Sequence, residues 1–142
     1  MSWMLYAAWV QSLVATVGSL YFSEVMRLPP CALCWYQRIF MYPLVLILAV
    51  GIGGSDPRVR WYALPLALTG FAVAAYHNLL YYNVIPEGFG TCSLGVSCTV
   101  RQVELFGFVG IPQMSLTAFT VILTLLLLSL RKGVSSANQP QT

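Results

Sequence analysis

The sequence predicts an all-α integral membrane protein, an antiparallel four-helix transmembrane bundle. Hydrophobic residues make up 58% of the 142 residues and charged residues only 8%, whereas a soluble domain carries about 25% charged residues. Four apolar segments are long enough to cross a bilayer, which takes about 20 residues of helix. They are residues 3–22, 34–53, 61–82 and 111–130. Because the connections are short, one domain over residues 1–132 is predicted.

The first span is predicted to be a retained helix and not a cleaved signal peptide. No basic residue precedes it, and no small-x-small cleavage motif directly follows its apolar part. Gln11 is its only strongly polar side chain and is suited to a hydrogen bond with a neighbouring helix. Pro29 and Pro30 are expected to end this helix and to favour the start of the next one.

Cys31 and Cys34 form a C-x-x-C pair at the start of the second span. At this spacing the sulfurs lie close enough to bridge, and the partial positive charge of a helix N-terminus favours a thiolate. Arg38 follows Cys34 on the same helical face, about 6 Å along the axis. An arginine within a membrane helix is unfavourable by about 2.5 to 3.5 kcal/mol at the bilayer centre. Arg38 therefore indicates either a function beside the cysteines or a side chain that reaches back to the headgroups.

The third and fourth spans also carry polar side chains. His77 lies toward the outer end of the third span, at about the depth of the arginine in the second, and Pro65 predicts a kink. A lone histidine here is more often a hydrogen-bonding group within a bundle than a catalytic residue. Thr117, Thr120 and Thr124 are expected to hydrogen-bond to the helix backbone or across it.

The longest connection, residues 83–110, carries a second cysteine pair, Cys92 and Cys98, among several glycines. This composition predicts a flexible loop that could deliver a disulfide to the first pair. Residues 100–108 mix charges with large apolar side chains, as expected of a segment that lies on the membrane surface.

Basic residues in the connections predict the orientation in the cell membrane. Arg58 and Arg60 in the second connection, with Arg131 and Lys132 after the fourth span, place both termini in the cytoplasm. All four cysteines then lie on the outer side, where disulfides persist. The polar segment from Gly133 to Thr142 is predicted to be a disordered cytoplasmic tail.

Two outward-facing cysteine pairs, one beside an intramembrane cation, indicate a thiol–disulfide relay. Electrons that reach Cys31 and Cys34 have no soluble acceptor within the bilayer, so a lipid-soluble two-electron acceptor, a quinone, fits this position. Arg38 would stabilise the negative charge that grows on a quinone oxygen. We group Arg38 and His77 as candidate quinone-binding residues and predict no metal site.

A resemblance to a known family rests on a motif, the four spans and the second cysteine pair. The motif is Pro30-Cys31-x-Leu33-Cys34-x-x-Gln37-Arg38. Over nearly the whole chain these features resemble the DsbB/BdbC family of membrane disulfide-bond formation proteins. The resemblance implies a membrane oxidoreductase that re-oxidises a thioredoxin-like extracytoplasmic thiol oxidase, passes the electrons to menaquinone or ubiquinone, and so supports disulfide formation in exported proteins.

The same resemblance implies that all four cysteines are catalytic. Cys92 matches the position that forms a mixed disulfide with the partner, and Cys98 is its mate. Cys31 and Cys34 match the pair that re-oxidises the loop, with Cys34 next to the quinone, and Arg38 matches a quinone-associated arginine. The second pair spans only six positions, which resembles the short C-type proteins of Gram-positive bacteria more than the Gram-negative pattern.

Three alternatives use the same cysteines differently. Two disulfides could staple a four-span scaffold protein without redox turnover, although a C-x-x-C disulfide closes a small ring and a staple leaves Arg38 unexplained. All four cysteines could hold a zinc ion, although an oxidising compartment competes for the thiols. A vitamin K epoxide reductase-like enzyme would share the relay chemistry but place its C-x-x-C pair differently relative to the spans.

Overall fold

Four apolar helices make up most of the computed structural model, which describes residues 2–86, 97–99, 104–107 and 109–137. The helices are α1 (Trp3–Leu20, continued by a π-helical turn, Tyr21–Val25), α2 (Ala32–Gly53), α3 (Val59–Tyr81) and α4 (Ile111–Ala137). All four are long and apolar enough to cross a membrane. The predicted fold class, an all-α membrane bundle of four helices, is confirmed.

The helices form a ring in which α1 and α3 each pack against both α2 and α4. Polar contacts at the two ends show that neighbouring helices are antiparallel. Ser2 Oγ at the start of α1 lies 3.2 Å from Ser129 Oγ near the end of α4, and the Asn78 amide near the end of α3 donates to the Pro112 carbonyl at 2.8 Å. Cys31 Sγ, just before α2, lies 3.7 Å from His77 Nε2 near the end of α3, so the start of α2, the end of α3 and the start of α4 share one end of the bundle.

One face of α3 is turned into the bundle. Most of its buried positions recur every three or four residues, as expected of a helix with one buried face: Val59, Ala63, Ala67, Gly70, Ala74, His77 and Tyr81. The small residues let α4 approach closely, since a side chain at Gly70 would overlap the fully buried ring of Phe119. The same periodicity turns His77 inward at the end of the bundle where α2 begins.

The connection between α1 and α2 differs from the prediction, because the prolines do not end the first helix. The π-helical turn ends at Val25, and Arg27 adopts a left-handed backbone with a φ of 52°. The Leu28 N–H then donates to the Phe22 carbonyl at 3.1 Å. Such a left-handed residue satisfies the last carbonyls of a helix, so the helix is capped before it reaches Pro29.

The C-terminal segment also differs from the prediction. Helix α4 continues to Ala137, so the expectation of a disordered tail from Gly133 is wrong for residues 133–137. Extending an existing helix adds one hydrogen bond for each residue fixed, and a single glycine does not stop it. Residues 138–142 lie outside the described part of the chain.

The described part of the outer loop contains a short hairpin before α4. Strands β1 (Glu104–Leu105) and β2 (Val109–Gly110) pair antiparallel. Phe106 at its turn is 89% exposed. The hairpin falls on the segment predicted to lie on the membrane surface, and that location stays a prediction.

The threonines of α4 bond back to their own helix, as predicted. Thr117 donates to the Gln113 carbonyl at 2.8 Å, and Thr120 and Thr124 make equivalent bonds at 2.7 Å. These hydroxyls are therefore satisfied within the helix and need no partner in the lipid.

Candidate redox-active site

Cys31 and Cys34 lie at the end of the bundle where α2 begins. Cys31 is the residue that caps the N-terminus of α2, with an extended backbone, and Cys34 lies in the first turn. Both are free thiols, and their sulfurs are 3.0 Å apart. The pair stands at a helix start, as the sequence predicts, and its sulfurs are close enough to form a disulfide after a small movement.

The two sulfurs have different surroundings. Cys31 is buried and packs in a cluster with Leu33, Leu80 and Cys98. Cys34 packs against the edge of this cluster and, unlike Cys31, also lines a cavity among residues of α1 and α4. The C-x-x-C pair therefore connects a buried cluster that contains the loop cysteine Cys98 to a separate cavity.

A buried polar pair, His77 and Gln37, lies beside Cys31. His77 Nε2 is 3.7 Å from Cys31 Sγ, and His77 Nδ1 is 3.1 Å from Gln37 Nε2. When the amide of Gln37 donates to Nδ1, the imidazole proton lies on Nε2 and faces the sulfur. His77 therefore lies at Cys31, and its grouping with Arg38 at a quinone stays a prediction.

Contacts with its neighbours lower the pKa of the Cys31 thiol, which precedes the membrane-spanning helix. The largest cause is the hydrogen bond from the Cys34 thiol; burial acts in the opposite direction, and His77 lowers the pKa further. A thiolate is the nucleophile in thiol–disulfide exchange. In the reduced pair the thiolate is therefore favoured on Cys31.

Arg38 is held against α1. Its Nε donates to Ser19 Oγ at 2.8 Å, and its two terminal nitrogens donate to the Ser19 carbonyl at 3.0 Å and to Ser23 Oγ at 3.3 Å. The guanidinium carbon also lies 5.4 Å from the centre of the Trp35 ring. These contacts fix the side chain beside the cavity that Cys34 lines, an arrangement that favours a local function over an arginine reaching freely for the headgroups.

A cavity of about 360 Å³ lies between α1, α2 and α4. Most of its walls are apolar, with Phe22, Met41 and Phe119 among them, and Cys34 and Arg38 contribute polar groups. Its volume falls within the range of about 300 to 1,000 Å³ that is typical of small-molecule sites. The cavity can therefore hold an apolar ligand with a few polar atoms.

Several further polar side chains line this cavity, and two of them, Tyr42 and Gln11, are not predicted from the sequence to be functional. The hydroxyl of Tyr42 is buried and has no hydrogen-bond partner among the described residues. Gln11, predicted to bond a neighbouring helix, makes no such bond within the described part of the chain. Tyr42 follows Cys34 and Arg38 at successive intervals of four residues, so helical spacing could have identified it.

The structure describes one cysteine of the second pair. Cys98 is disulfide-bonded and only 2% exposed, whereas Cys92, its predicted mate, lies outside the described residues. A sulfur in a disulfide is not a thiolate ligand, so this structure does not form the alternative zinc site of four cysteines.

A bundle of membrane-spanning helices with a C-x-x-C pair at a helix start defines a membrane thiol–disulfide redox protein. The sequence model of the family described as disulfide bond formation protein DsbB matches residues 1–129. The chain therefore belongs to the DsbB family, and the resemblance drawn from the cysteine–arginine motif is confirmed.

Individual relatives agree with the family. The chain is 46% identical to disulfide bond formation protein C of Bacillus subtilis (strain 168), over 93% of this chain and 94% of that protein. It is 48% identical to probable disulfide formation protein C 2 of Bacillus cereus (strain ATCC 10987 / NRS 248), over 84% and 85%. A probable disulfide formation protein of Metapseudomonas resinovorans is 42% identical over 93% of each chain. No solved structure gives a significant match. The chain is thus a membrane disulfide oxidoreductase.

Proposed function

We propose that this protein re-oxidises a thioredoxin-like extracytoplasmic thiol oxidase and passes the electrons to a membrane quinone. The observation that carries the proposal is the two-sided environment of the C-x-x-C pair. Cys31 packs in the cluster that contains Cys98, whereas Cys34 lines the cavity beside Arg38. One sulfur can therefore exchange with the loop disulfide while the other faces an acceptor dissolved in the lipid.

Electrons enter at the loop disulfide, which in this proposal joins Cys92 and Cys98. A thiolate of the partner attacks Cys92, which breaks the loop disulfide and releases Cys98 as a thiolate. The partner's second thiolate then resolves the mixed disulfide, so that the partner leaves oxidised and the loop carries two more electrons and a pair of thiols.

The C-x-x-C pair next re-oxidises the loop. The Cys98 thiolate attacks Cys31 of the oxidised pair, which forms a bond between these two sulfurs and releases Cys34 as a thiolate. Attack by Cys92 on Cys98 restores the loop disulfide and leaves Cys31 and Cys34 reduced. The packing of Cys98 with Cys31 supports this order, because the attacked sulfur must be the one within reach of the loop.

The residues of the cavity fit the head group of a quinone such as menaquinone or ubiquinone. Its walls are apolar, and the unpartnered hydroxyl of Tyr42 offers a hydrogen bond to a ligand oxygen. Three of the five N–H groups of Arg38 bond α1, which leaves two for a ligand. A bound quinone accepts two electrons and two protons. Arg38 would stabilise negative charge on Cys34 and on a ligand oxygen in this low-dielectric site.

The proposed orientation places the site outside the cytoplasm. The redox site occupies the end of the bundle where α2 starts, whereas Arg58, Arg60, Arg131 and Lys132 lie at the opposite end, around the start of α3 and the last turns of α4. Basic residues favour the cytoplasmic side. This supports cytoplasmic termini and a single membrane domain that exposes its cysteines to exported proteins.

Replacing Tyr42 with phenylalanine is expected to raise the KM for quinone about threefold to tenfold. The change removes one hydrogen bond to the ligand, worth about 0.5 to 1.5 kcal/mol. Thermal stability of the ligand-free protein should be unchanged or higher, because the hydroxyl has no partner among the described residues. Quinone titration at saturating partner checks this result. An unchanged KM for quinone would exclude Tyr42 from the site.

A variant with Cys98→Ser tests the proposed entry of electrons. The Cys92 thiolate should attack the disulfide of the oxidised partner and trap a mixed disulfide, because the loop no longer holds a Cys98 thiol that could attack Cys92 and release the partner. Non-reducing gels and mass spectrometry of the adduct would identify the sulfur that is bonded. The matched Cys92→Ser variant should trap no adduct at that position, and an adduct through Cys98 instead would show that the two loop cysteines have the reverse roles.

A further inference from the structure

A group of three soft metal ligands lies within the redox site. The sulfurs of Cys31 and Cys34 and a ring nitrogen of His77 all lie within 4.8 Å of one another. Thiolates and imidazole are ligands that soft and borderline metal ions prefer. We infer that the reduced pair and His77 together form a three-coordinate site for Cu(I), which captures the ion only when the C-x-x-C pair is reduced.

The distances suit a trigonal ion. Bonds of about 2.3 Å to sulfur and about 2.0 Å to imidazole nitrogen place two such donors about 3.7 Å apart, and two sulfurs about 4.0 Å apart, when the angles are 120°. Cys31 Sγ and His77 Nε2 are already 3.7 Å apart. The two sulfurs, at 3.0 Å, need to separate by about 1 Å, which a rotation of the Cys34 side chain in the first helical turn can supply.

Gln37 can orient the imidazole for this purpose. A metal ion on Nε2 requires the ring proton on Nδ1, and the Gln37 amide lies 3.1 Å from Nδ1. When the Gln37 amide rotates by 180°, its carbonyl oxygen faces Nδ1 and accepts a hydrogen bond from the Nδ1–H group. Histidine ligands commonly have such a partner, and removing it typically weakens metal binding by about 10- to 100-fold.

Coordination number and charge favour Cu(I) over Zn²⁺. Structural zinc sites are almost always tetrahedral, whereas the described residues supply three ligands to this group. Two thiolates with Cu(I) carry one net negative charge, which the positive charge of Arg38 on the next turn of α2 balances. The same ligands with Zn²⁺ would leave an excess positive charge in a largely apolar bundle, an arrangement that is unfavourable in low dielectric.

The site is tested with the full-length protein in detergent, in a Cys92→Ser, Cys98→Ser background that leaves only the C-x-x-C thiols. Under anaerobic conditions the reduced protein should withdraw one equivalent of Cu(I) from its complex with bicinchoninate, with release of the thiol protons. X-ray absorption should show two sulfur neighbours and one nitrogen neighbour. His77→Phe, which keeps the buried ring without a ligand atom, should lower the affinity at least tenfold and remove the nitrogen neighbour, whereas Tyr76→Phe should change neither.

Three results would overturn the inference: no withdrawal of Cu(I), an affinity that His77→Phe leaves unchanged, or tighter binding of Zn²⁺ than of Cu(I) in the matching competition. The Cys31→Ser variant should lose the site even if His77→Phe fails to fold. Neither the partner nor a quinone takes part in these measurements, so a negative result would leave the proposed relay untouched.

Discussion

Replacing either Cys31 or Cys34 with serine is expected to stop partner re-oxidation after at most one equivalent per chain. The loop disulfide can still oxidise one partner molecule, but without the C-x-x-C disulfide nothing re-oxidises the loop. Wild-type protein should continue until the quinone is consumed. The measurement is the amount of oxidised partner against time, in proteoliposomes that contain a quinone.

A matched control separates loss of the sulfur from damage to the helix start. Ala32→Ser changes one of the two residues between the cysteines without removing a sulfur and should retain wild-type turnover. All three variants should insert and fold, because Cys31 and Cys34 are free thiols that close no long loop. Continued turnover by either cysteine variant would contradict the relay.

Replacing Arg38 with alanine is expected to reduce turnover at limiting quinone about 10- to 100-fold. The loss corresponds to about one hydrogen bond to a charged group, worth about 1.5 to 3 kcal/mol, with a factor of ten for about every 1.4 kcal/mol. Lysine at this position keeps the charge but loses the planar head with several donors, so Arg38→Lys should give a smaller loss. Quinone titrations at saturating partner measure the effect.

The control for this prediction is Arg58→Ala. Arg58 is exposed at the opposite end of the bundle, so its removal should leave the quinone dependence unchanged. Formation of the mixed disulfide with the partner should be normal in the Arg38 variants, since that step occurs at the loop. Equal quinone dependence in Arg38→Ala and wild-type protein would show that the arginine serves only to anchor the helix.

Much of the fold can be predicted from the sequence. A helix needs about 20 apolar residues to cross a bilayer, and the lipid offers no hydrogen-bond partners to the backbone, so each apolar segment is expected to be a helix. The residues at which the helices begin and end are predicted less accurately. The start of α2 at Ala32 and the capping of α1 by Arg27 depend on backbone conformation and not on apolarity. The extension of α4 to Ala137 shows the same limit, since polar residues can continue a helix beyond the membrane.

The candidate site, like the fold, can be predicted from the sequence only in part. The relation of Cys34 to Arg38 lies within one helix, so the spacing of four residues was enough to place both beside one cavity. The contacts of His77 with Cys31 and Gln37 join α3 to α2 and depend on how the two helices are rotated against each other. A single sequence does not give that rotation, so depth along the helix could not predict that His77 contacts Cys31 and Gln37.

The most direct test of quinone-linked disulfide formation is the yield of quinol for each partner disulfide, measured anaerobically in proteoliposomes that contain the wild-type protein and a known amount of quinone. Oxidising one dithiol releases two electrons, and reducing one quinone consumes two, so the predicted ratio is one to one. Partner oxidation that proceeds without formation of quinol would contradict the proposed path of electrons from the loop through Cys31 and Cys34 to the cavity.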